Sequence, residues 1–77
     1  MDFLRPDMRD RLMKEHHEFR RLMEEHRSAD ERLVSLQTKS RLSARESLEE
    51  VELKKVKLRA KERIYRIVEE ANRMSPQ

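Results

Sequence analysis

The sequence is defined first by what it lacks: its 77 residues contain no glycine, no cysteine and no tryptophan, and only two prolines, two phenylalanines and one tyrosine. Glycine gives tight β-hairpins their positive φ angles at the lowest steric cost, so its absence argues against a β-rich fold. Without cysteine, a disulfide framework, a thiolate metal cluster and a cysteine nucleophile are all excluded.

Long apolar segments are missing as well. No run of apolar residues exceeds two, so the sequence contains neither a transmembrane span nor the apolar region of a signal peptide. We therefore expect a soluble, cytoplasmic protein. Charged residues make up 45% of the chain and hydrophobic residues 35%, which is typical of long amphipathic helices and coiled coils. A chain this short forms one domain, whose core is marginal without a partner.

The first half of the chain has the apolar periodicity of a helix. Pro6 suits a first helical turn, where its missing N–H leaves no bond unmade. From Phe19 onward the apolar spacing is 3-4-3-4-3, which is the seam of a left-handed coiled coil. Since no glycine or proline interrupts the pattern, we predict one helix over 6–37. Its apolar row consists of Met8, Leu12, Phe19, Leu22, His26, Ala29, Leu33 and Leu36.

The periodicity stops at residues 38–43, where we predict a turn. Ser43 and Glu46 have the spacing of a capping box, in which the serine hydroxyl accepts from the N–H of residue 46 and the glutamate accepts from the N–H of Ser43. A second helix is predicted over 44–72. The remaining residues form an N-terminal tail at 1–5 and a C-terminal tail at 73–77.

The predicted fold is all-α: an antiparallel, coiled-coil-like two-helix hairpin that assembles into a helical-bundle oligomer. Two long helices joined by a short turn pack side by side, but they enclose no central core, so we expect a partner surface. The hairpin core is predicted to consist of Phe19, Leu22, His26, Leu33, Leu53, Val56, Ala60, Ile64 and Ile67.

A second apolar set lies on the opposite side of the second helix, at Leu48, Val51, Leu58 and Tyr65. In a monomer this side would remain exposed. The simplest occupant is a second copy of the chain, so we expect a homo-oligomer, and a helical protein partner is an alternative occupant. A peripheral membrane role is not expected, because tryptophan is absent and the other apolar face is needed by the first helix.

The overall charge of +3 is too small to indicate a polyanion partner. The charges are nevertheless segregated, because acids predominate over 46–52 and bases over 53–68. Acids at the start of a helix and bases further along complement the helix dipole, and this accounts for much of the charge pattern. The alternative is a nucleic-acid-binding accessory protein that uses the basic set, which consists of Lys54, Lys55, Lys57, Arg59, Lys61, Arg63 and Arg66.

Catalytic, cofactor and metal sites are not expected. His16 and His17 point about 100° apart on a helix and cannot chelate one ion together. The sequence has no glycine-rich phosphate loop, and its serines lack a neighbouring base that would make them nucleophiles. The single notable polar residue is His26, at a seam position where leucine or isoleucine would pack better. We interpret it as a residue that sets register or oligomer state.

Two segments resemble a known family. The pattern Phe19-x-x-Leu22-x-Glu24-Glu25-His26 resembles the first half of the small bacterial YdcH-like proteins, as do Asp30, Leu33 and Leu36 after it. Residues 53–64, Leu-Lys-Lys-Val-Lys-Leu-Arg-Ala-Lys-Glu-Arg-Ile, resemble the second-half signature of that family. This chain departs from the family pattern at Ala29, Ala60 and Glu62. The resemblance implies a helical hairpin or coiled coil of unknown function, with no established enzyme activity.

Overall fold

The computed structural model describes residues 3–74. These residues form three α-helices and no strand: α1 is Pro6–Glu15, α2 is His17–Gln37 and α3 is Ala44–Met74. The prediction of an all-α fold is confirmed. The principal extents are 50 × 21 × 16 Å, so the molecule is little longer than α3 itself, whose 31 residues span about 47 Å at 1.5 Å per residue.

The predicted helix over 6–37 begins and ends as expected but is divided at His16. His16 has an extended backbone, with φ −116° and ψ 103°. Its Nδ1 atom accepts a hydrogen bond from the Phe19 N–H at 3.1 Å, which supplies a partner for a donor that the first turn of α2 leaves without one. The N–H of His16 in turn donates to the Leu12 carbonyl at 2.8 Å. One residue therefore ends α1 and caps α2.

The turn over 38–43 forms as predicted, and so does the capping box that follows it. The Glu46 N–H donates to Ser43 Oγ at 3.1 Å, and the Ser43 N–H donates to Glu46 Oε1 at 3.0 Å. The Lys39 ammonium also bonds to Glu46. The Lys39 ammonium, followed by the Ser43 N–H, lowers the pKa of Glu46 to about 2. The start of α3 is thus fixed by side chains from both sides of the turn.

Helices α2 and α3 run antiparallel. Arg63 donates two hydrogen bonds of 3.2 Å to Glu18 near the start of α2. Arg32, near the end of α2, donates to Glu49 at 2.8 and 2.9 Å. Across these two pairs, residue numbers on α3 decrease as residue numbers on α2 increase, which is the pattern of two helices that lie side by side in opposite directions. Both pairs are exposed, so each contributes little to stability and chiefly fixes the register.

The core lies between α2 and α3 and continues onto α1. Of the nine residues predicted for the hairpin core, the structure buries six and leaves His26, Leu53 and Val56 half-buried. Phe19 and Ile64 are both fully buried. Val68 is an additional buried residue that the sequence analysis did not single out. The buried apolar residues are Leu12, Phe19, Leu22, Ala29, Leu33, Leu36, Ala60, Ile64, Ile67 and Val68.

The short helix α1 covers the end of α3 that α2 does not reach. The 21 residues of α2 span about 32 Å, which is about two-thirds of α3. Leu12 of α1 is buried in the same cluster as Val68 of α3, and Phe3 and Leu4 pack against that cluster. Within the predicted N-terminal tail at 1–5, Phe3 and Leu4 therefore extend the core, whereas Arg5 is exposed.

The other end of the chain also differs from the prediction. Helix α3 continues to Met74, two residues beyond the predicted end at 72. The part of the predicted C-terminal tail at 75–77 lies outside the described residues, as do residues 1–2. Among the helices of residues 3–74, none contains a stretch with the length and apolar character needed to cross a membrane.

Candidate interaction surface

The predicted oligomer face on α3 is exposed. Leu48 is 69% exposed, Leu58 is 57% exposed, and Val51 and Tyr65 are each 49% exposed. Val51, Leu58 and Tyr65 follow one another at seven-residue intervals, which is two helical turns, so they form a straight row along α3. Leu48 lies one turn before Val51. We call these four residues the outer face.

The outer face is separate from the surface that α3 buries. Ala60, Ile64 and Ile67 are 1%, 0% and 4% exposed and pack in the core cluster that includes Phe19. We call these three residues the inner face. At 100° per residue, the inner face points away from the row that contains Leu58. Helix α3 is therefore apolar on two sides, and only one of these sides is covered within the chain.

A groove of about 560 Å³ lies at the C-terminal half of the outer face. Its apolar lining is Phe3, Leu58 and Tyr65, and its charged lining is Lys61, Glu62, Arg66 and Glu69. The rings of Phe3 and Tyr65 meet edge to face, with centroids 5.0 Å apart and an interplanar angle of 74°. This is a favourable arrangement for two aromatic quadrupoles. The N-terminal segment therefore forms one wall of a groove on α3.

Charged residues lie beside the apolar row in a definite order. Counting in sevens from Leu48, the neighbouring row continues with Lys55, Glu62 and Glu69. The Lys55 ammonium lies 3.7 Å from a Glu52 carboxylate oxygen in the same helix, and both side chains are exposed. The outer face is thus bordered by a second row, which begins with the apolar Leu48, continues with the positive Lys55 and ends with the negative Glu62 and Glu69.

The predicted basic set does not form one stripe. Lys57 Nζ lies 2.6 Å from Asp30 Oδ1 on α2, and Arg63 bonds to Glu18, also on α2. These two bases flank opposite edges of the contact between the helices and act as cross-links. Within residues 3–74, the Lys55–Glu52 contact is the only ion pair between an acid and one of the other five bases. The bases of the set other than Lys57, Arg63 and Lys55 are Lys54, Arg59, Lys61 and Arg66.

His26 lies at the edge of the core rather than inside it. It is half-buried and, with Lys57, Leu58 and Lys61, lines a depression of about 370 Å³ between α2 and α3. Burial, and next the positive charge of Lys57, lowers the pKa of His26 despite an opposing effect of Asp30. The role of His26 in setting register stays a prediction.

A second groove, of about 890 Å³, follows the outer side of α2. Met13 and Met23 are its apolar lining, surrounded by charged residues that include Arg27. Arg27 bonds to both Glu24 and Glu31 of its own helix, so its charge is compensated. The apolar side chains of this groove are thus bordered by charged residues, of which Arg27 and Glu24 pair within α2 and Asp30 pairs with Lys57 of α3.

Chemistry that would indicate catalysis is sparse on this surface. In the part of the chain that the structure describes, no three histidine, aspartate or glutamate side chains come together as a metal site. His16, the only histidine that caps a helix there, already accepts a hydrogen bond from the backbone. The shifted carboxyl pKa values have ordinary causes: the pKa of Glu18 is lowered by its bond to Arg63, and that of Glu49 by its bond to Arg32.

The roles of two residues, Phe3 in the groove and His16 as the cap of α2, were not predicted from the sequence. Phe3 was assigned to a tail, although an aromatic residue three positions before a short amphipathic helix is a signal for docking onto the core. His16 was assigned to a helix interior, because histidine is an uncommon cap and the apolar phase continues past it. The Phe3–Tyr65 contact joins distant residues, and the His16–Phe19 bond, although local, leaves no trace in the apolar periodicity.

One comparison with known proteins identifies the family. A model of the family described as "Protein of unknown function (DUF465)" matches residues 19–68, which run from the first buried turn of α2 to Val68 at the end of the core. No curated protein and no solved structure matches the chain. The resemblance to YdcH-like proteins is consistent with the family match. Because the match covers more than half of the chain and both helices of the antiparallel pair, the chain belongs to this family.

Proposed function

We propose that this protein is a non-enzymatic interaction module that self-associates through the outer face of α3. The observation that carries the proposal is the exposure of Leu48, Val51, Leu58 and Tyr65 in one aligned set on a helix whose other apolar side is already buried. Burying one such side chain contributes about 1.5–3 kcal/mol. Contiguous exposed apolar surface of this kind is typical of protein interaction sites. In this proposal α2 and α3 form a hairpin unit that becomes part of a helical bundle.

The geometry supports an interaction role better than a catalytic one. The charged side chains of residues 3–74 are exposed or half-buried, and the structure buries no polar or charged residue there. Catalytic groups usually acquire shifted pKa values inside a concave, partly desolvated site. The pKa of Glu46, which caps α3 and lies next to the turn, is lowered to about 2. The cause of this shift is structural, since both partners of Glu46 fix the start of the helix.

The proposal is tested by measuring mass in solution for the wild type, Leu58→Glu and Val34→Glu. Val34 is 52% exposed on α2, which makes it a matched control for Leu58 at 57%. We expect wild type and Val34→Glu to form a dimer or larger species at micromolar concentration and Leu58→Glu to remain monomeric, with helical circular dichroism in all three. A wild type that stays monomeric throughout the micromolar range contradicts the proposal.

A nucleic-acid-binding role is the second candidate, and the four bases Lys54, Arg59, Lys61 and Arg66 favour it because no acid of residues 3–74 pairs with them. Phosphate contacts release counterions, so binding through them weakens steeply as salt rises. Titration of generic RNA and duplex DNA at two salt concentrations distinguishes the candidates. Binding that is tight at low salt, and lost in Arg59→Glu but not in Leu58→Glu, would favour the nucleic-acid role over self-association.

A further inference from the structure

The two ends of the outer face have complementary shapes. At the N-terminal end, Leu48 and Val51 are 69% and 49% exposed, and neither lines the groove of the C-terminal end. At that end Phe3 rises beside Tyr65 and Leu58, and the three side chains form an apolar groove of about 560 Å³. One end of the face therefore projects apolar side chains, and the other end offers an apolar recess.

The charged row beside the outer face has the same asymmetry, although the groove as a whole carries both signs because Lys61 and Arg66 also line it. Lys55 lies near the projecting end, and Glu62 and Glu69 line the groove at the receiving end. Leu58 lies between Lys55 and Glu62, close to the middle of the outer face. A helix laid antiparallel across Leu58 would therefore bring its own Lys55 close to Glu62 of that row.

We infer that a second copy of the chain docks antiparallel on the outer face, centred near Leu58, so that Leu48 and Val51 of each copy enter the groove of the other. Lys55 of one copy then approaches Glu62 of the second copy, twice by symmetry. This inference rests on the proposed self-association and adds its geometry. It also assigns a role to Phe3, which becomes the wall that receives the second copy.

A parallel arrangement does not satisfy either asymmetry. In a parallel pair in register, the projecting end meets a projecting end, and the groove meets a groove. Lys55 would then face a lysine and Glu62 a glutamate, and such like-charge contacts across an interface are unfavourable. An antiparallel two-fold pair is self-complementary, because each copy contributes the same patch to both halves of the contact.

A double-mutant cycle on the dimer tests the contact. Phe3 touches Tyr65, and Tyr65 lies 14 residues, or about 21 Å, from Val51 along α3. Phe3 and Val51 therefore cannot interact within one chain. We expect Phe3→Ala and Val51→Ala each to weaken self-association about tenfold. In the double variant, the loss of affinity should be clearly smaller than the product of the two single losses. The control pair, Phe3→Ala with Val34→Ala, should give the product, because Val34 lies on α2.

A distance measurement gives the orientation without depending on Phe3, whose removal also perturbs the core. The chain has no cysteine, so Arg45→Cys accepts a single spin label at an exposed position near the start of α3. An antiparallel pair centred near Leu58 places the two labels about 40 Å apart, and a parallel pair places them within about 20 Å.

The outcomes separate this inference from the proposed function. Label distances near 40 Å with coupling between Phe3 and Val51 support the antiparallel dimer. A stable dimer with label distances within about 20 Å, or one in which Phe3 and Val51 act independently, overturns the antiparallel inference and leaves self-association standing. A chain that is monomeric in every sample contradicts both.

Discussion

The two apolar sides of α3 differ in pattern as well as in exposure. The inner face has its members, Ala60, Ile64 and Ile67, three and four residues apart, which is the spacing that fills a helix–helix contact continuously. In the outer face, Val51, Leu58 and Tyr65 follow one another at intervals of seven, with charged residues between them. The comparison indicates that a dense pattern buries a helix within the chain, whereas a sparse pattern leaves a narrow surface for a partner.

The inner face should account for the largest effect on stability. Ile64 is fully buried, so Ile64→Ala removes three carbons from a packed core and should lower the free energy of unfolding by about 2–5 kcal/mol. Leu58→Ala, measured on dilute monomer, should change it far less. Urea denaturation of both variants at low concentration makes the comparison. Equal losses would mean that the two sides of α3 contribute alike to the fold.

The capping box should give an effect of intermediate size, because it fixes where α3 begins and so the phase of both faces. Ser43→Ala removes the acceptor for the Glu46 N–H and should lower the free energy of unfolding by about 0.5–2 kcal/mol. The loss should be smaller in a chain that already carries Glu46→Ala, since the two bonds are reciprocal. Denaturation of the two single variants and the double variant tests this, and strict additivity would show that the box does not form.

The same glutamate gives the fold an acid dependence. Its pKa in the folded chain is about 2, below the usual value of about 4.3. A carboxyl group with a depressed pKa stabilises the fold above its unfolded pKa, and this contribution is lost as pH falls through the folded pKa. We expect Glu46→Gln to flatten the decline in unfolding midpoint between about pH 4.5 and pH 2. An unchanged decline in that variant would contradict the assigned pKa.

His26 lies at the boundary where the buried side of α2 meets solvent, and its substitution should have the smallest effect on stability. Burial and Lys57 lower its pKa, so the unfolded chain takes up a proton first as pH falls below about 6.5, and stability declines from that point. His26→Leu should raise stability and flatten this decline, and the exposed control His17→Leu should do neither. If His17→Leu flattened the decline and His26→Leu did not, the assignment of this acid dependence to His26 would be wrong.

Much of the fold follows from local signals in the sequence. Pro6 marks the start of α1, the Ser43–Glu46 spacing marks the start of α3, and the apolar periodicity separates Ile64 from Leu58 on that helix. Each of these signals lies within a few residues of what it specifies. That is why they are readable from a single sequence.

Most of the remaining features depend on contacts between residues that are distant in the sequence, whereas the break at His16 depends on a local bond to Phe19. The Phe3–Tyr65 ring contact joins positions 62 residues apart, and no pattern in the sequence links them. The basic set looked continuous, yet Lys57 and Arg63 are engaged by acids on α2. The break at His16 depends on one side-chain bond to the backbone, and the apolar periodicity on either side of it gives no sign of it.

The most direct test of the account is the unfolding midpoint temperature as a function of protein concentration, measured for wild type, Leu58→Glu and Ile64→Ala. Association stabilises the folded state by mass action. The midpoint of the wild type should therefore rise between about 1 and about 100 µM, Leu58→Glu should show no rise, and Ile64→Ala should be less stable throughout but keep the rise. A wild-type midpoint that does not change with concentration would contradict the claim that the outer face of α3 is a self-association surface.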